Sequence, residues 1–138
     1  MRINKVTLKF LAIAGVLVLL AIPLANVITK ASNPFEPSNQ NIDATNISGY
    51  YKQNFNWNDC YGGFKCATYK VPIDYDNLDL GEFDIAVMKH STPNAIGNLV
   101  INPGGPGGSG VDYAYSYAGV FTQKIIDNFN IVGFDPRG

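Results

Sequence analysis

The order of apolar and polar positions divides the chain into an address segment and a folded region. Residues 10–28 (FLAIAGVLVLLAIPLANVI) are apolar on every side and carry no charge; Arg2, Lys5 and Lys9 precede them and Lys30 follows. A basic stretch followed by an apolar run is the pattern of an export signal, to be cut after Ala31 where Thr29 and Ala31 supply small residues. The same run, at ~1.5 Å of rise per residue, reaches roughly 28 Å as a helix, enough for an uncleaved anchor. Pro23 and Asn26 weaken its last turn, which favours cleavage. Either way residues 1–31 predict a signal peptide or membrane anchor, and an extracellular or envelope location for the remainder of the chain. Residues 32–56, rich in Asn, Ser and Pro, read as a linker. Asn46-Ile47-Ser48 within them matches the glycosylation triplet.

From residue 57 the periodicity changes. Residues 67–74 (ATYKVPID) are rich in strand formers, with Pro72 at an edge or end. Residues 83–90 (FDIAVMKH) alternate, placing Phe83, Ile85 and Val87 on one face. The two runs predict an antiparallel hairpin. The short apolar runs 98–102 (NLVIN) and 130–135 (NIVGFD) read as buried strands covered on both faces. Between them, residues 111–129 place Ala114, Tyr117, Ala118, Phe121, Ile125 and Phe129 on one helical stripe. The last three elements form a β-α-β unit whose strands should run parallel. The fold class expected is α/β: a hairpin, then β-α-β, preceded by an apolar N-terminal helix. With one helix after the hairpin, residues 57–138 look like the front portion of a larger, truncated α/β domain.

Composition narrows the function. The chain has 138 residues, 46% hydrophobic and 15% charged, and a formal net charge of −1. No dense Lys/Arg cluster suits phosphate recognition, so a basic nucleic-acid binder is excluded. Beyond residue 30 the balance is acidic, with six basic and eleven acidic groups. Cys60 and Cys66 are the only cysteines. Gly62 and Gly63 between them permit a tight turn, and in an oxidising compartment this spacing suits a disulfide. Two cysteines and a single distant His are too few ligands for a metal site.

The chemistry concentrates in Asn102-Pro103-Gly104-Gly105-Pro106-Gly107-Gly108-Ser109-Gly110, between a strand and a helix. Its bared N–H groups can converge on negative charge. Three uses compete. Nucleotide binding fails the P-loop pattern, because Val111-Asp112 follow Gly110. The dinucleotide pattern is met in letters by Gly105, Gly107 and Gly110 with Asp135, but Pro106 removes a donor, Asp135 is 25 positions beyond Gly110, and a hairpin precedes the unit. A purely structural turn for tight strand–helix packing leaves the run of successive donors unexplained. The third use is an oxyanion hole, in which preset backbone donors hold the oxygen of a tetrahedral intermediate.

Three ordered stretches carry a family resemblance: Cys66-Ala-Thr-Tyr-Lys-Val-Pro-Ile-Asp-Tyr75, the NPGGPGGSG loop, and Val132-Gly-Phe-Asp-Pro-Arg-Gly138. Together with Trp57 and the cysteine pair, residues 57–138 resemble the N-terminal part of secreted α/β-hydrolases of the tripeptidyl aminopeptidase / proline iminopeptidase serine peptidase family. The family's H-G-G-P-G loop corresponds to residues 103–107, with Pro103 in place of His. The resemblance implies that Gly105 donates its N–H to the oxyanion with Gly104 beside it, that the substrate is a peptide or small acyl compound, and that no cofactor is needed. It implies that Asp135-Pro136-Arg137-Gly138 is a structural turn in which Arg137 orders neighbouring loops.

The family's nucleophile sits in a G-x-S-x-G elbow, followed by an acid and a His. That motif is absent here. Ser109 reads as a helix cap, His90 as a surface or loop-packing residue, and Asp135 as a turn-forming acid. Residues 1–138 alone are therefore expected to be inactive. The alternatives are an exported esterase or other acyl hydrolase on the same scaffold, and a non-catalytic envelope module with a degenerate loop.

Overall fold

The computed structural model describes residues 33–37 and 40–137. The apolar segment 10–28 lies outside them, and among the described residues no helix is long and apolar enough to cross a membrane. The elements run α1 (Ile47–Tyr51), β1 (Asn58–Cys60), β2 (Phe64–Pro72), a 3-10 turn (Leu78–Leu80), β3 (Glu82–His90), β4 (Gly97–Ile101), α2 (Gly110–Tyr115), α3 (Tyr117–Val120), α4 (Gln123–Ile126) and β5 (Phe129–Phe134).

The strands form one mixed sheet in the order β1-β2-β3-β5-β4. β2 and β3 are the antiparallel hairpin, in register from Phe64↔His90 to Pro72↔Glu82. Pro72, which has no N–H for a further ladder bond, ends β2. β5 inserts beside β3, antiparallel to it, and pairs in parallel with β4 from Gly97↔Phe129 to Ile101↔Gly133. This is a partial α/β fold, with the chain crossing from β4 to β5 through the glycine loop and the helices.

The crossing is not the single helix that the 111–129 stripe suggests. It breaks at Ser116 and again at Phe121, whose φ of −109° and ψ of 150° are extended. The stretch YAYSYAGVFT supplies Ser, Gly, aromatic and β-branched residues in succession, all weaker helix formers than Ala or Leu. The stripe still faces the sheet. Ala114 is fully buried with Ile101 and Ile131, and Tyr117, Phe121, Ile125 and Phe129 pack around them. Ala118 is exposed, and Phe129 belongs to β5.

β4 and β5 are covered on one face only among the described residues, against the expectation of cover on both. Alternation along the strands splits the sheet into two faces. Cys66, Met88, Ile101 and Ile131 lie in the two buried clusters. Tyr69, Ile85, Val100, Val132 and Phe134 line an open apolar groove of about 620 Å³. Val100 remains 60% exposed and Phe134 40%.

The stretch read as a linker contains α1, capped by the Asn46 side chain, which accepts from Gly49 N at 3.2 Å. It also dresses the edge of β2 beyond the short β1. The Gln53 amide accepts from Lys70 N at 3.0 Å and donates to Lys70 O at 2.8 Å, as a neighbouring strand would. The Thr68 hydroxyl donates to Glu36 O and the Tyr69 hydroxyl to Tyr50 O. These bonds satisfy backbone and side-chain groups that an uncovered edge would leave to solvent or to another chain.

β1 is held to β2 by the Cys60–Cys66 disulfide, with Cα atoms 5.9 Å apart. The turn between them uses positive φ at Tyr61, Gly62 and Gly63. Closing so short a loop contributes about 2 kcal/mol in the chain-entropy treatment.

Candidate functional site

The glycine loop leaves β4 at Ile101 and enters α2 at Gly110. Its two ends are fixed and its middle is bare. At the entry, Gly104 N–H donates to Asn102 Oδ1 at 2.9 Å, an Asx-type turn. Gly104 has φ of +85° and Gly107 φ of +76°, conformations that side chains other than glycine rarely adopt. Residues 102–107 are exposed. Gly105 N–H makes no hydrogen bond among the described residues. Together with Phe134 and Pro136 the loop encloses a depression of about 290 Å³.

The two glycines that the resemblance singles out therefore differ. The Gly104 amide is already engaged by Asn102, whereas the Gly105 amide is unengaged. Crowding within the loop holds it in shape: a Cβ on Gly105 would stand 2.7 Å from Gly107 N, and one on Gly108 2.7 Å from Gly104 O.

At the exit, Ser109 caps α2, its Oγ accepting from Asp112 N at 2.9 Å. The same hydroxyl donates to Asp135 Oδ1 at 2.7 Å, and Val111 N donates to that oxygen at 3.1 Å. Helix and strand touch through backbone just here. A Cβ on Gly110 would lie 2.0 Å from Phe134 O, and one on Gly133 1.9 Å from Gly110 O. The tight-packing role considered for the loop as a whole thus falls to Gly110 alone. Arg137 Nη1 donates to Pro72 O at 3.2 Å and Ile73 O at 3.1 Å, tying the turn after β5 to the far end of the hairpin.

The candidate groups of the sequence are not assembled into one constellation. Asp135 and Ser109 meet behind the loop. His90 packs on the helical side of the sheet, stacked on Tyr117 with ring centroids 4.0 Å apart and edge-on to Phe64 at 5.7 Å. Its Nδ1 is buried without a hydrogen-bond partner among the described residues. Burial disfavours the imidazolium and lowers the His90 pKa. The unfolded chain then takes up a proton at a higher pH than the folded one. The stability from neutral His90 is fully present above about pH 6.5 and is lost as pH falls through the lowered value. We expect the thermal midpoint to fall as the pH is taken from 7 toward 5, and His90→Phe to flatten that part of the curve.

No family model matches the chain. Among proteins of known description, it is 42% identical over 78 residues to "Serine protease Hip1" of Mycobacterium tuberculosis, covering 56% of this chain and 15% of that protein. It is 42% identical over 76 residues to "Carboxylesterase B" of the same organism, covering 54% of this chain and 15% of that protein. To "Tripeptidyl aminopeptidase" of Streptomyces coelicolor it is 33% identical over 97 residues, covering 59% of this chain and 17% of that protein. The chain is accordingly similar to serine hydrolases, and among these to ones of the tripeptidyl aminopeptidase type. It spans about 15% of the length of the first relatives it matches.

Proposed function

We propose that the full-length protein is an exported serine hydrolase that removes short peptides from N-termini, with Gly105 N–H as one donor of its oxyanion hole. The observation that carries this reading is the exposed, unengaged Gly105 amide. It sits in a loop whose neighbouring residues are held by side-chain bonds at both ends. A serine nucleophile, an acid and a His base come from polypeptide other than residues 1–138. The serine oxygen adds to the scissile carbonyl carbon as its proton passes to the base. The carbonyl π pair moves to oxygen, where backbone donors stabilise it, and collapse of the intermediate expels the amine with the base's proton. A donor fixed before the reaction needs no reorganisation as charge develops. The substrate is a peptide or small acyl compound, and neither nucleic acid nor a cofactor takes part. Export is supported by the apolar 10–28 segment with its basic flank and by a disulfide suited to an oxidising compartment. Membrane contact is limited to residues 10–28, where they are retained.

Esterase action is the second reading, favoured by the equal identity to a carboxylesterase. One panel on the full-length protein separates them: a tripeptide p-nitroanilide with a free N-terminus, its N-acetyl derivative, and p-nitrophenyl butyrate. We expect cleavage of the free tripeptide and little of the acetylated one. Ester cleavage alone would select the esterase, and no turnover together with no labelling by a fluorophosphonate would remove both.

A further inference from the structure

The carboxylate of Asp135 has an assignment that its place in a turn does not require. Its Oδ1 accepts two hydrogen bonds, from Ser109 Oγ at 2.7 Å and Val111 N at 3.1 Å, both at the exit of the glycine loop. These donors lie 26 and 24 positions before it in sequence, so the contacts exist only because β5 lies alongside the loop. Asp135 is itself fastened from behind: its N–H donates to Ala86 O on β3 at 3.0 Å. Its neighbours Phe134 and Pro136 form the wall of the depression opposite Gly104–Gly108. One short segment thus builds one side of the site and, through its side chain, anchors the other.

We propose that Asp135 is a positioning residue for the Gly105 amide, setting its distance from the substrate oxygen by clamping Ser109 and Val111 to the end of β5. The proposal rests on the oxyanion reading. The loop's entry is fixed only locally, by Asn102 on Gly104, two positions apart. Among the described residues, the polar ties that refer the loop to the sheet are the two on Asp135, beside the close approach of Gly110 to β5. Release of this clamp lets the middle of the loop drift while the strands and α2 stay in place. A donor displaced by about 1 Å loses much of its effect on a developing charge, and such misplacement costs up to ~100-fold in rate.

The test uses the full-length enzyme, with p-nitrophenyl butyrate and the free tripeptide p-nitroanilide as probes. Asp135→Ala should lower kcat by about 10- to 100-fold with KM within about twofold, since the donor acts in the transition state. Asp135→Asn keeps an oxygen able to accept both bonds and should restore kcat to within about threefold of wild type. Ser109→Ala, which removes one of the two bonds, should also lower kcat at unchanged KM. Wild-type kcat in Asp135→Ala, or Asp135→Asn as impaired as Asp135→Ala, overturns the clamp. If Asp135→Ala does not fold, Ser109→Ala decides: a lower thermal midpoint with wild-type kcat leaves only helix capping and overturns it. Gly105→Pro, measured alongside, separates the two levels. A crippled Gly105→Pro with an active Asp135→Ala removes the clamp alone, whereas an active Gly105→Pro removes the oxyanion reading beneath it.

Discussion

Gly105→Pro in the full-length enzyme should reduce kcat by about a hundredfold or more, with KM little changed and a lower thermal midpoint, since its Cβ would stand 2.7 Å from Gly107 N. Proline deletes one N–H, and loss of a single oxyanion donor costs on the order of 10²–10³ in turnover. The effect falls on kcat because the donor meets the oxygen fully only once the carbonyl has become tetrahedral. No hydrogen bond is lost in the resting state, because Gly105 N–H has no partner among the described residues and the residue is exposed; the stability cost comes from the added Cβ against Gly107 N. Its φ is not in the positive range that fixes Gly104 and Gly107, so the proline ring meets no left-handed backbone there. Gly104→Pro is the informative contrast. It deletes an amide already bonded to Asn102 and imposes a negative φ where +85° is observed. It should therefore damage the loop's shape and lower both stability and turnover. Unchanged kcat in Gly105→Pro, with the loop's geometry retained, would show that the bared amide serves no oxyanion.

How much of this could be read from sequence depends on whether the signal was periodic or tertiary. β2 to β5 were legible because their residues alternate or cluster as strand formers, and the crossing helices because their stripe faces Ile101 and Ile131. The division of that crossing into three short helices comes from weak propensities at Ser116, Phe121 and Thr122, a local signal weaker than the stripe. β1 offers no intrinsic strand signal: Asn58-Asp59-Cys60 is poor in strand formers and gains its partner through the disulfide-closed turn. The docking of residues 33–54 on the edge of β2 depends on Gln53 imitating a strand, which no local pattern encodes. The glycine loop was visible as a string of letters. That Gly104 is occupied and Gly105 vacant depends on where the Asn102 side chain turns. The Asp135 contacts with Ser109 and Val111 bridge more than twenty positions and need the sheet order to be known. One clue was present in the sequence itself: Gly133 interrupts the apolar run from Ile131 to Phe134, the usual mark of a close backbone approach.

That clue leads to the largest stability effect. Gly133→Ala should destabilise the protein by about 3 kcal/mol or more, at or beyond the upper end of ordinary overpacking. The added methyl would sit 1.9 Å from Gly110 O and 2.8 Å from Ala114 Cβ. Neither can swing aside as a flexible side chain would: one is backbone in the first turn of α2, the other a residue with no accessible surface. Relief requires the whole of α2 to rise from the sheet, which opens the cluster of Ile101, Ala114 and Ile131. Gly110→Ala, with its Cβ 2.0 Å from Phe134 O, strains the same contact from the other side. The double variant should therefore cost less than the two single losses added together, because helix and strand separate only once. Gly119→Ala meets nothing within 4 Å and lies in α3. It should be neutral or stabilising by up to ~1 kcal/mol. Urea midpoints across the four proteins, at constant m-value, measure this ordering. A Gly133→Ala protein as stable as Gly119→Ala would mean that helix and strand do not meet through bare backbone. The same displacement of α2 would carry Ser109 and Val111 away from Asp135, so whatever Gly133→Ala protein does fold should also lose turnover.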